Sequence, residues 1–185
     1  MNKIIITIAF VAMLLAQWFV PGQMIYKQEE IIRKGVAYKF RTQPLDPSDP
    51  FRGKYISLNY EVDKAFTKDT TINYNDMYVY IAKDSAGFAI ATHASKTLDK
   101  TGQDYVKVRS HGIYNDTVRF NLPFNVYYMD ENKAYDAEVV VRQARRDTLI
   151  NNCYGLVYIK EGRSVLADVF VDDISIKDYV EEIQK

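Results

Sequence analysis

The chain has 185 residues, 48% of them hydrophobic and 26% charged, with 24 Lys plus Arg against 24 Asp plus Glu. That length suits one domain with an appendage, and the charge balance leaves no chain-wide basic footprint for nucleic acid and no acidic tail. The single cysteine, Cys153, excludes an intramolecular disulfide, and without a second Cys or a nearby His it makes no zinc site.

The amino terminus, "MNKIIITIAFVAMLLAQWFVPGQMIY", carries an uncharged apolar run from Ile4 to Val20. As a helix the run spans roughly 25 Å, and carried on to Tyr26 it reaches roughly 34 Å, enough to cross a bilayer core. A cleaved signal peptide and an uncleaved anchor both share this layout. Val20-Pro21-Gly22 offers no clean Ala-x-Ala site, so the anchor fits better. Trp18 and Tyr26 then sit at headgroup depth, and Pro21 kinks the helix near its outer end. No cysteine lies in or just after the run, which excludes a lipoprotein anchor. Lys3 precedes the span while Lys27, Arg33 and Lys34 follow it, so the count of basic residues does not set the orientation. The short basic start before an apolar core predicts export of the remainder. Residues 1–26 are read as a transmembrane anchor or signal sequence, and 27–35, "KQEEIIRKG", as a juxtamembrane helix. Glu29 and Arg33 stand four apart in it, and Gly35 ends it.

From Val36 the period changes to two. Val36, Tyr38 and Phe40 alternate with Ala37, Lys39 and Arg41, a half-buried strand with which the domain of residues 36–185 begins. After a proline-rich loop, Ile56, Leu58, Tyr60 and Val62 occupy one face of a strand, and Tyr55, Ser57, Asn59 and Glu61 the other. Further alternating runs follow at "DMYVYIAK", "GFAIATHA", "YVKVRS", "TVRFNLPFNVYY", "CYGLVYIK" and "SVLADVFVD", with turn signals such as "KDSAG", "DKTGQD", "YNDT" and "KEGRS" between them. This pattern predicts a mainly β, α+β fold with an antiparallel sheet, curled or sandwich-like. One amphipathic helix is expected at "ENKAYDAEVVVRQARRD", where Ala134, Ala137, Val141 and Ala144 keep helical spacing.

The densest group of special-purpose residues is "QPLDPSDPFRGKYISLNY". Its prolines bias Gln43, Asp46 and Asp49 toward extended backbone, and Gly53 supplies a turn before the strand. Such a stiff loop either presents Asp46, Asp49 and Arg52 as a fixed polar constellation or turns a sheet corner with Arg52 paired to an aspartate. Neither Asp46/Asp49 nor Asp99/Asp104 fits a calcium loop. His93 and His111, far apart in sequence, read as surface histidines. Ser48, Ser57 and Ser110 lie in no nucleophile motif; a Ser-Lys hydrolase would need Ser48 brought close to a strand lysine such as Lys54. Tyrosines are abundant, and pairs such as Tyr78/Tyr80 and Tyr127/Tyr128 either line a glycan- or peptide-binding groove or edge the core. No metal, cofactor or catalytic residue is expected.

Gly53, Tyr55, Leu58 and Tyr60 reproduce G-x-Y-x-x-L-x-Y, and "PLDPSDPFRG" before them resembles P-x-D-P-x-D-x-x-R-G. Together with "IIRKGVAYKFRTQPLDP", "VRFNLPFNVYYMDENKAYDAE" and "GLVYIK…VFVDD", these segments resemble the bacterial GDYXXLXY family over nearly the whole chain. The resemblance implies a single-pass protein of the bacterial inner membrane whose main domain is periplasmic, with no established activity and a multi-pass membrane protein as partner. Lys54 stands where the family carries an acid, which counts against an essential carboxylate there. Asp46, Asp49, Arg52 and Tyr55 match the pattern and, with Glu138 as an outlying candidate, form the expected binding surface; Leu58 and Tyr60 read as core. An envelope glycan- or peptide-binding module is the alternative to docking on a membrane protein.

Overall fold

The structure, a computed structural model, describes residues 3–43, 55–99, 101–128 and 153–183. The proline loop, with Asp46, Asp49, Arg52 and Gly53, and the segment holding the expected amphipathic helix and Glu138 lie outside the described residues.

The apolar run becomes one helix, α1 (Lys3–Lys34), which passes through Pro21 and continues into the charged juxtamembrane stretch. Its 32 residues measure about 48 Å at 1.5 Å per residue. The apolar window is fully exposed, so α1 is long and apolar enough to cross a membrane and borrows no core from the domain. Only its last turns touch the sheet, where Ile31 is buried and Lys160 donates to Glu30 at 2.6 Å. The helix stops at Gly35, whose N–H donates to the Ile31 carbonyl at 2.8 Å. Gly35 is required by space. A β-carbon there would strike the Ile31 carbonyl oxygen and come within 2.9 Å of that of Ile159.

β1 (Val36–Gln43) follows at once, with Tyr38 and Phe40 buried and Lys39 and Arg41 on the opposite face, as the alternation predicts. It is the fourth strand of a five-stranded antiparallel sheet that it shares with β3 (Asn59–Tyr60), β10 (Cys153–Lys160), β11 (Arg163–Val171) and β12 (Ile174–Ser175), in the order β12-β11-β10-β1-β3. A short helix, α2 (Ile176–Ile183), closes the chain and buries Ile176 and Val180 against this sheet.

The middle of the chain closes into a barrel of β4 (Lys64–Phe66), β6 (Ala89–Ser95), β5 (Asp76–Lys83), β7 (Tyr105–Tyr114) and β8 (Thr117–Phe120), in that spatial order. The expected curled sheet is therefore a closed one, and it is mixed: β4 runs parallel to β6 at Phe66 and His93 and antiparallel to β8. Inward-facing Met77, Val79, Ile81, Val106, Val118 and Phe120 fill it and run on into the core of the five-stranded sheet. There Phe40, Tyr60 and Phe124 meet edge-on with ring centroids 5.0–5.8 Å apart.

The predicted strand 55–62 divides. β2 (Tyr55–Ser57) pairs with β9 (Val126–Tyr128), whereas β3 pairs with β1. Leu58, fully buried, is the pivot, and its N–H donates to the Asn125 carbonyl at 2.8 Å. A strand that changes partners within six residues is a sheet corner.

Candidate functional site

The two long segments outside the described residues, 44–54 and 129–152, spring from neighbouring strand ends. β1 leads into the first and β2 leads out; β9 leads into the second and β10 leads out. Tyr55, the first residue of β2, pairs directly with Tyr128, the last of β9. Likewise the buried Thr42 near the end of β1 donates its hydroxyl to the carbonyl of Cys153, the first residue of β10, at 3.0 Å. The roots of both segments thus occupy one end of the molecule. α1 packs at the other end of β10, about 23 Å away along a strand of this length.

Beside these roots the outward face of β1 carries two cation–aromatic–carboxylate clamps. The Arg41 guanidinium lies 3.9 Å from the Phe88 ring centroid and pairs with Asp84 at 3.3 Å. Asp84 also accepts the N–H groups of Phe88 and Ala86 at 2.8 and 2.9 Å, so the carboxylate shapes the turn that presents Phe88. The Phe88 amide above all, aided by Ala86 and Arg41, holds its carboxyl below the usual carboxylate range. Two residues earlier on β1, the Lys39 ammonium lies 4.7 Å from the Tyr154 ring centroid and 3.6 Å from Asp173. Tyr154 donates to Asp173 at 2.6 Å and stacks on Phe170 at 5.2 Å. That hydrogen bond lowers the pKa of Asp173, while burial, reinforced by the same bond, raises that of Tyr154.

Chemically the face is closed. Both carboxylates are held ionised with donors upon them, and the phenol is held protonated, so neither a poised base nor an acid is offered. What the face can do is present paired charges, backed by the buried rings of Phe88 and Tyr154, to another surface. Sequence reading placed Lys39 and Arg41 toward solvent but missed their partners, which come from 43 and 134 positions further along the chain. The one local signal was the turn "KDSAG", which contains Asp84.

The sequence-predicted residues divide as follows. Leu58 and Tyr60 are core, as the two-period reading expects, and the Tyr60 hydroxyl donates to the Phe124 carbonyl at 2.9 Å. Tyr55 enters through its backbone at the loop root. Of the tyrosine pairs, Tyr80 is buried and Tyr78 meets Tyr105 edge-on; Tyr127 is buried and donates to Asp168 at 2.6 Å, while Tyr128 is 74% exposed. Neither pair lines a groove together. His93 stacks on Tyr80 at 4.4 Å and bonds Asp99 at 2.9 Å, whereas Asp104 accepts from Tyr38, so Asp99 and Asp104 serve different partners. Ser175 donates to Asp168, but that carboxylate already accepts Tyr127 and the Val169 N–H, which makes it a structural acceptor. Among the described residues no three His, Cys, Asp or Glu side chains gather to hold a metal. Ser48 and Lys54 lie outside them.

Compared with known proteins, residues 17–169 match the family model described as GDYXXLXY protein. No curated protein and no solved structure matches the chain.

Proposed function

The chain belongs to the GDYXXLXY family, and from that premise we propose that it is a non-enzymatic docking domain held at a membrane and working through a membrane-protein partner. Residues 1–26 form the anchor, 27–35 the juxtamembrane helix, and 36–185 the extracytoplasmic domain, on the periplasmic side of a bacterial inner membrane. The docking surface is the end of the domain remote from α1, where Asp46, Asp49, Arg52, Tyr55 and Glu138 lie on segments with a common root. The observation that supports this reading is the pairing of Tyr55 with Tyr128 together with the Thr42–Cys153 hydrogen bond, which sets the described residues flanking both segments close together. Loops gathered at one end of a rigid sheet are a usual place for recognition.

Crosslinking in native membranes tests it, comparing the natural chain with an Arg52→Ala plus Asp49→Ala variant of unchanged circular dichroism and melting temperature. A membrane protein captured by the former and lost with the latter supports docking through the proline loop. Equal capture returns the loop to a structural role. Tyr128, exposed beside the same roots, favours the second reading, an envelope glycan- or peptide-binding module. Saturable binding to wall fragments, with no protein captured, would establish that one instead.

A further inference from the structure

A second, separate surface lies on the barrel. In the antiparallel ladder of β4 and β8, Lys64 stands directly opposite Arg119. Both side chains face solvent, since the intervening Ala65 and Val118 fill the barrel. Like charges in directly opposed positions destabilise a sheet. Lys64 has Asp63 at 3.9 Å, the outer limit of an ion pair, and among the described residues Arg119 has no carboxylate partner. The two cations border a cavity of about 550 Å³, within the range of small-ligand sites. Its remaining wall is built by an irregularity in β7. The register shifts between Ser110 and Ile113, and Gly112 takes a φ of +127° that other residues resist. The shift brings His111, Ile113 and Tyr114 to the cavity, with Tyr114 left 79% exposed.

The geometry points to a binding site for an anionic ring compound: one phosphoryl or carboxylate group seated between Arg119 and Lys64, with the ring body against Tyr114. A guanidinium matches either anion with two parallel hydrogen bonds, the ammonium adds a point charge, and a tyrosine ring offers an apolar face to a sugar or similar body. Bound anion would also relieve the repulsion between the two cations. This site is independent of the docking end, and neither reading needs the other.

The test uses the full chain in a neutral detergent at constant ionic strength, with inorganic phosphate and galacturonate as separate probes. Side-chain resonances of Arg119 and Tyr114 are followed by NMR. The expected result is a saturable shift with at least one probe, and the stronger probe identifies the preferred anion. In Arg119→Glu the affinity drops at least about tenfold, while the melting temperature holds or rises because Lys64 gains an opposite charge. Lys64→Met, which creates no new pair, weakens binding without lowering the melting temperature. A purely structural pair of cations would show no such opposition between binding and stability. Absence of a saturable shift with either probe, or an unchanged shift in both variants, overturns the proposal.

Discussion

The ring of Tyr105 fills the space that a β-carbon on Gly162 would need. Gly162 turns the β10–β11 hairpin with a φ of +77° and bridges to Val106 on the barrel strand β7, so this contact joins the two halves of the domain. Gly162→Ala meets both obstacles at once, a left-handed backbone and a ring already in place. The backbone alone costs about 1–3 kcal/mol, and the clash adds to it. Chemical denaturation of the full chain in detergent should show a lower midpoint. Combining it with Tyr105→Leu should cost less than the two separate losses added, since the ring can strike the new methyl only once.

Gly35→Ala tests the other joint. Its methyl has no free space between the Ile31 and Ile159 carbonyls, and both obstacles are backbone. We expect a loss of about 1–3 kcal/mol, as for overpacking elsewhere. Faster amide exchange should appear in the last turn of α1 and at the end of β10, read by mass spectrometry of peptic fragments. Protection equal to that of the natural chain would refute the tight joint.

Stability should fall on the alkaline side for a stated reason. Burial, strengthened by Asp104, Asp168 and Asp173 respectively, raises the pKa of Tyr38, Tyr127 and Tyr154 above the ordinary value of 10.0. A group raised in the folded state contributes stability in full below its unfolded value and loses it as pH climbs toward the folded one. Above about pH 10 the unfolded chain therefore releases these protons while the folded chain retains them. Absorbance at 295 nm should report fewer tyrosinates in the native chain than in the unfolded chain at pH 11, the remainder appearing only as the circular dichroism collapses. Coincident titration curves would contradict this.

On the acid side the sign reverses. The Phe88 amide, then Ala86 and Arg41, lower Asp84 below its ordinary 3.8. Its contribution is complete above that value and disappears as pH falls through the depressed one. Asp84→Asn should flatten the acid limb of a stability profile below about pH 4 and leave the alkaline limb unchanged. An identical acid limb in the variant would show that the Arg41 clamp does not contribute.

How much of this was legible depended on whether the signal was local. Period-two runs placed β5 at Asp76–Lys83 and β10 at Cys153–Lys160, because alternation and flanking turns suffice to define a buried strand. The single run "TVRFNLPFNVYY" became two strands, β8 and β9, since Pro123 interrupts hydrogen bonding between them. The barrel was not readable. Its closure rests on β4, three residues long, and on one parallel contact between Phe66 and His93, neither of which leaves a periodic trace. α2 was overlooked although Ile176 and Val180 stand four apart, because eight residues at a chain end give only one repeat of the helical pattern. At the candidate site the motif residues Leu58 and Tyr60 could be assigned to the core from alternation alone. Arg41 and Asp84 could not be matched, because nothing in a sequence reports a partner 43 positions away.

The tight seat of Gly35 has a mechanical consequence. With no space between the last turn of α1 and the end of β10, the joint leaves helix and sheet little room to swivel. If α1 is held in a lipid sheet, as proposed, it keeps two easy freedoms, drifting in the plane and spinning about the normal, and the attached domain inherits both. Whatever grips one flank of α1 therefore also fixes the compass bearing on which the far end of the domain points. On the docking reading, a membrane partner that touched both places would find them already aligned, and its search would reduce to an encounter in two dimensions and a single rotation.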